Sequence, residues 1–393
     1  MTGSVVICGA LAQKPGHAGH TWQFLQYLLG FRRLGWEVLF VDRLSGDVRR
    51  RDARVAYLES VLAAAGLEDA WTLALDDGTH VGRGREEVLE YARRSDLLLN
   101  VMGFCTDEAL LAAAPLRVFL DTDPGFGQMW RELGLADVFA GHDAHVTIGE
   151  RIGASDCTIP TCGLPWITTC QPVVLDEWPA SAAESDCDRF TTVGSWRGAY
   201  GPVDYGGHRY GLRVHEFRRF SALPRVTGAR FELALDIHAS EVADIERLRG
   251  GGWHLVDPVT VASTPRAYRS YLARSGAELM VAKGMYVDTR SGWFSERSIC
   301  YLASGRPVLA QDTGIADLYP LGEGLLTFRS LDEATAGVEE LRAHPERHRK
   351  AARALAEEYF DSNRVLTRLV DRIGTRRRVE AAERSARPPV GAP

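Results

Sequence analysis

The stretch from Met285 to Gly314 constrains the fold most. It reads in order as loop, helix start, short helix, turn and buried strand. Ser291 and Gly292 break the chain. Ser295 is placed as an N-cap, and Glu296 puts a carboxylate in the first turn, where the helix dipole favours it. Ile299, Tyr301 and Leu302 supply the apolar face, Gly305 ends the helix, and Pro307 opens the strand Val308–Ala310. A helix delivered through a glycine turn into a buried strand is one αβ unit of a doubly wound domain. Its polar start has a second meaning. Free N–H groups and a positive dipole end suit a phosphate, so Ser295, Glu296, Arg297 and Ser298 are candidate phosphate-binding residues.

The same alternation runs through the rest of the chain. Val5–Cys8 is an apolar run followed by a Gly/Pro-rich loop. Trp22, Leu25, Leu28, Leu29 and Leu34 then recur at helical spacing, and Val38–Val41 forms a second strand ending at Asp42. Helices near 53–65 and 85–94 and strands at 97–101, 117–120 and 146–148 continue the series. Gln171–Asp188 has prolines, serines and acidic residues without periodicity and reads as a linker. Strands then restart at Phe190–Val193, 231–235, 253–256, 278–282 and 325–328, with a long helical region from Leu331 to Leu369. The expected fold is α/β, two doubly wound Rossmann-like domains facing across a cleft. They would span 1–175 and 186–372, with a disordered tail at 373–393. A chain of 393 residues needs more than one ordinary core.

Composition narrows the function. A net charge of −6 lacks the basic excess that neutralising nucleic-acid phosphates requires. No apolar run reaches membrane-spanning length, and the N-terminus lacks a signal-peptide pattern, so a cytoplasmic protein is expected. Seven cysteines, without C-x-x-C spacing or a matching His pair, read as scattered thiols and not as a zinc site.

Gly19 to Asp42, with Leu34-Gly35-Trp36-Glu37-Val38 at its end, and the string Gly305-Arg306-Pro307-Val308-Leu309 resemble the two halves of GT-B glycosyltransferases. In overall look the chain is similar to a group of uncharacterised bacterial GT-B-like proteins. The resemblance implies an N-terminal acceptor-binding domain and a C-terminal domain that holds a nucleotide sugar. It implies transfer of a sugar to an acceptor hydroxyl without a metal, with no cofactor beyond the nucleoside-diphosphate sugar as co-substrate. Gly19-His20 falls where related enzymes carry the Gly-His of their catalytic base. There are departures. Cys300 stands where a second, ribose-binding Glu is expected, and no H-C-G-W-N run is present. Sugar, base and stereochemistry are left open.

His20 is the candidate general base, with a pKa suited to the task, and His17 is its rival. Asp121, at a strand end, is the first choice to orient it and Asp123 the second. Asp121-Thr122-Asp123 also spells a D-x-D, which sets a metal reading beside the metal-free one. Arg197, beside Gly194, Ser195 and Gly198, and Lys283, after a strand, are candidates to grip the diphosphate. Asp312 is a candidate for sugar hydroxyls or else a turn former. Trp22 reads as core, and Phe126, Trp130, Trp196 and Trp293 as an acceptor-pocket lining. The rival readings are a nucleotide-sugar epimerase or hydrolase of the same fold, a silent binding protein, and an NAD-dependent oxidoreductase. The last lacks G-x-G-x-x-G, and its loop is too long for the tight phosphate turn.

Overall fold

The first half builds an eight-stranded sheet, in a computed structural model that describes residues 3–44, 51–180 and 188–386. Its strands are β1 (Ser4–Gly9), β2 (Glu37–Leu44), β3 (Trp71–Leu75), β4 (His80–Gly82), β5 (Leu97–Val101), β6 (Arg117–Asp121), β7 (Ala144–Thr147) and β8 (Trp166–Thr168), in the order β4-β3-β2-β1-β5-β6-β7-β8. All pairs are parallel except β3 with β4. Strands buried on both faces read as continuous apolar runs, which is why β1, β2, β5 and β6 were legible. Strand β3 and the three-residue edge strands β4 and β8 were not.

The second half builds a six-stranded parallel sheet from β9 (Phe190–Ser195), β12 (Phe231–Asp236), β13 (His254–Val256), β14 (Ala277–Met280), β15 (Val308–Gln311) and β16 (Leu325–Phe328). The order is β13-β12-β9-β14-β15-β16. A hairpin, β10 (Val203–Tyr205) with β11 (His208–Tyr210), stands outside it. The helix expected after Met285 spans Glu296–Ala303 with Ser295 as its cap.

The chain then crosses back. The helix Ser362–Ala386 buries Leu366, Leu369 and Ile373 in the same core as Val5, Phe24 and Leu28. Gly30 permits the contact, because a Cβ there would lie 2.6 Å from a methyl of Leu366. The expected boundary at residue 372 is therefore corrected, since the helix that starts at Ser362 packs on the first half through Leu366, Leu369 and Ile373. The expected tail is corrected too. Residues 373–386 are helical, as a stretch rich in Arg, Ala and Glu favours; 387–393 lie outside the described residues. Part of the expected linker is also packed. Val173 bonds to Phe360 and Ser362, and Trp178 is buried, while 181–187 lie outside the described residues.

Candidate functional site

The carboxyl ends of β9, β12 and β13 meet the loop between β1 and the first helix, Ala18–Arg33, around a cavity of about 770 Å³. One wall is Val193–Ser195, Asp236 and Asp257, and the other is Lys14–His20. Strand carboxyl ends beside a change of sheet direction are where open α/β sheets place ligands, and β9 and β14 flank such a change here.

Two guanidiniums converge on this cavity. Arg297, in the first turn of the Glu296–Ala303 helix, bonds Glu278 through Nε and the Val193 carbonyl through Nη1 at 2.8 Å. Arg213 donates to the Ser195 carbonyl at 3.4 Å. Arg297 Nη2 and Arg213 Nε are buried without a partner. Burial lowers Arg213 to about 10, and the neighbouring Arg297 adds to that. For Arg297 burial pulls the same way, but Glu278, Tyr268 and Glu296 outweigh it and raise the group. Two close, desolvated cations with unsatisfied donors form a ready anion site. Glu296 lines the same wall, its carboxyl raised chiefly by burial.

Arg213 escaped the sequence reading, though a signal was present. It is the first residue of the Arg213–Arg219 helix, where the dipole favours an acid over a cation. Gly194 explains its seat, since a Cβ there would lie 2.6 Å from the Arg213 guanidinium. The small residues that end β9 thus make room for this arginine. Arg197, the expected phosphate ligand, instead pairs with Glu241 at the surface and does not line the cavity.

His20 and Gly19 do line the cavity, with Gly19 against the Tyr268 ring. His20 Nε2 lies 3.0 Å from the Ala10 carbonyl, so a neutral ring carries its proton there and Nδ1 is the basic nitrogen. Burial, with Lys14 nearby, lowers His20 to about 4. His17 is exposed at the same mouth. The expected carboxylate partner does not reach His20. Asp121 accepts from Gln128 at 2.7 Å, Thr147 at 2.9 Å and the Asp123 N–H at 3.0 Å, and burial raises it to about 6. Asp123 takes Lys283 Nζ at 2.7 Å on both oxygens, and the Tyr286 hydroxyl as well.

Lys283 is thereby moved from the expected phosphate site to the contact between the two halves. It sits over the rings of Phe126, Tyr200 and Tyr286, and burial lowers it. The D-x-D carboxylates already serve protein donors, one of them a lysine, which does not fit a metal site. Ser295 Oγ accepts from the Arg297 N–H at 3.2 Å as the helix cap, and Ser298 is fully buried; neither lines the cavity. Asp312 is the turn former: it accepts from Gly314 N–H and pairs with Arg329, and these contacts outweigh burial and lower it. Phe126, Trp196 and Trp293 are core residues and do not line the cavity; Trp130 packs on Phe126 and Tyr200. Trp22 is core as expected, against Trp178.

Among the described residues, Glu340, His344 and His348 come together at metal-ligand distances, far along the chain from the cavity walls. His348 Nδ1 accepts the Gly324 N–H, so Nε2 carries the proton and faces Glu340. A metal would need the lone pair that this tautomer lacks.

Residues 220–371 match a family described as glycosyl transferase-like. No curated protein matches the chain by sequence. Among solved structures, HepE of Anabaena in complex with UDP superposes with a TM-score of 0.58 at 12% identity, covering 95% of this chain and 100% of that one. An alpha-glucosyltransferase in complex with UDP and a DNA 13-mer gives 0.60 at 12%, over 95% and 100%. AviGT4, a glycosyltransferase involved in avilamycin A biosynthesis, gives 0.55 at 15%, over 96% and 98%. The fold is therefore GT-B. Within that fold the glycosyl transferase-like match lies in the second half of the chain.

Proposed function

We propose that the protein moves a sugar from a nucleoside-diphosphate sugar to an acceptor hydroxyl, without a metal ion. The observation that carries this reading is the buried Arg213–Arg297 pair, with unsatisfied nitrogens, beside a capped helix start on a cavity of about 770 Å³. Preorganised cations in a water-poor site stabilise the charge that develops on a leaving diphosphate. Here the arginines supply what a divalent metal supplies elsewhere. Glu296, on the same wall, is placed to accept hydroxyl protons of the sugar.

His20 takes the acceptor proton at Nδ1 in this reading, since Nε2 is held by the Ala10 carbonyl. A ring near 4 is neutral over the whole physiological range and a weak base, so its contribution lies toward the lower end of the usual 10²–10⁴. The Ala10 carbonyl, not a carboxylate, orients it. HepE has been crystallised with UDP, with UDP and glucose, and with UDP-glucose, which makes uridine nucleotides the first probes.

The test is turnover of UDP-sugars with and without sugar or polyol acceptors, in buffer containing a chelator. Release of UDP that depends on acceptor and ignores the chelator supports the reading. UDP release without glycosylated product in every acceptor mixture makes the protein a hydrolase, and chelator-sensitive turnover removes the metal-free claim. His20→Ala should slow turnover while leaving UDP affinity unchanged.

A further inference from the structure

In the first sheet β1 and β5 lie side by side, with Cys8 opposite Asn100. Just past β5 the chain doubles back. Met102 and Gly103 both adopt left-handed backbone, at φ 52° and 72°, and the Phe104 N–H returns to the Val101 carbonyl at 3.0 Å. Methionine is uncommon in that region, so the turn is held by groups around it. The Asn100 side chain is one of them. Its Oδ1 accepts the Cys105 N–H at 2.9 Å, and its Nδ2 donates to the Cys105 carbonyl at 3.0 Å. This clamp sets Cys105 beside Cys8, where both pack on the apolar cluster of Val6, Val88 and Leu98. The two thiols hydrogen-bond to each other.

The pair is asymmetric. Cys8 is buried, whereas Cys105 is half-buried and lines a crevice of about 370 Å³ beside Gly9, Arg43 and Phe104. Cys8 does not line that crevice. The shared hydrogen bond, with burial, raises Cys8. The same bond lowers Cys105 against its burial, helped by the Asp107 N–H and the Arg43 guanidinium and opposed by the Asp107 carboxylate. The other described free cysteines, Cys157, Cys162, Cys170 and Cys300, are all raised, chiefly by burial. The thiol that ionises most readily and can be reached is the one that attacks a disulfide.

We propose that Cys8 and Cys105 form a dithiol redox site, oxidised by a small-molecule disulfide that enters the crevice. The crevice has the volume of a small-ligand pocket, which sets the size of the oxidant. The Cys105 thiolate attacks one sulfur of the small disulfide. A mixed disulfide forms on Cys105, the original S–S bond breaks, and the departing thiolate takes up the proton that Cys105 gave away. Cys8, in contact from the inner side, then attacks the Cys105 sulfur. The second half of the small disulfide leaves as a thiol, carrying the Cys8 proton. Two protein thiols are thereby oxidised to one disulfide, and the small disulfide is reduced to two thiols. Cys105 is the entry thiol and Cys8 the resolving one. Neither sulfur has a part in the nucleotide reading, and the assignment stands apart from it.

The test incubates the reduced full chain with oxidised glutathione, blocks the remaining thiols with iodoacetamide, and maps peptides by mass spectrometry. Wild type should yield a Cys8–Cys105 disulfide that dithiothreitol reverses. Cys105 should react at least about tenfold faster than Cys157 or Cys162. Cys8→Ser should stop at the glutathione mixed disulfide on Cys105, and Cys105→Ser should leave Cys8 as a free thiol. Thermal unfolding checks that both variants fold, and the wild-type map needs neither of them. The assignment is overturned if Cys8 and Cys105 stay reduced in wild type while glutathione appears on Cys157 or Cys162, or if no thiol reacts. It is overturned as well if folded Cys8→Ser leaves Cys105 unmodified.

Discussion

Arg213 occupies a helix position that disfavours a cation, in a seat that exists because residue 194 is glycine. Removing its guanidinium should cost roughly 1.5–3 kcal/mol of diphosphate binding, the loss of a charge-assisted contact. Arg197→Ala should cost nothing measurable, because that side chain serves Glu241 at the surface. Titration calorimetry with UDP reads both. A second prediction concerns Glu150, whose carboxyl receives the Tyr319 hydroxyl and is raised to about 7, mainly by burial. A carboxyl raised on folding contributes stability below its unfolded value, near 4.3, and that contribution is lost as pH climbs through about 7. Glu150→Gln keeps the acceptor oxygen and removes the titration. Relative to wild type, it should gain stability between pH 5 and pH 8 in thermal melts. An unchanged difference at the two pH values would contradict the assignment.

At the scale of elements, the crossing of the last helix onto the first is the contact that closes the chain. Leu366 is fully buried against Gly30. Leu366→Ala should cost about 2–5 kcal/mol in urea unfolding, the usual range for a buried leucine. A cost under about 0.5 kcal/mol would mean that this packing is not formed. The elements themselves were largely legible. Buried parallel strands announce themselves as apolar runs, and Ser295, Glu296 and Gly305 mark a helix from both ends. The short strands β4 and β8 were not, since three residues carry almost no periodicity. The crossing was hidden too, because an amphipathic helix does not say which core it will join. Candidate residues fared by the same logic. Those set by local order, His20, Glu296 and Arg297, do line the cavity. Those that depend on distant partners do not: Asp123 and Lys283 meet across 160 residues and neutralise each other.

At the scale of the whole molecule, that meeting joins the two halves. Lys283 and Asp123 come from different sheets, both largely buried, with Tyr286 on the same carboxylate. A double-mutant cycle with Asp123→Asn and Lys283→Met should give a coupling of roughly 0.5–3 kcal/mol in thermal unfolding, whereas additive effects would show that the pair does not hold the halves together. The central claim concerns the cavity beside this contact: a nucleoside diphosphate lies there with its phosphates on Arg213 and Arg297. UDP titrated into wild type and into the Arg213→Ala, Arg297→Ala and Arg197→Ala proteins, in a chelating buffer, reads that claim directly. The account predicts binding to wild type and to Arg197→Ala alike, and at least tenfold weaker binding to each of the other two folded variants. Equal UDP affinity in all four proteins, or no UDP affinity in wild type, would contradict it.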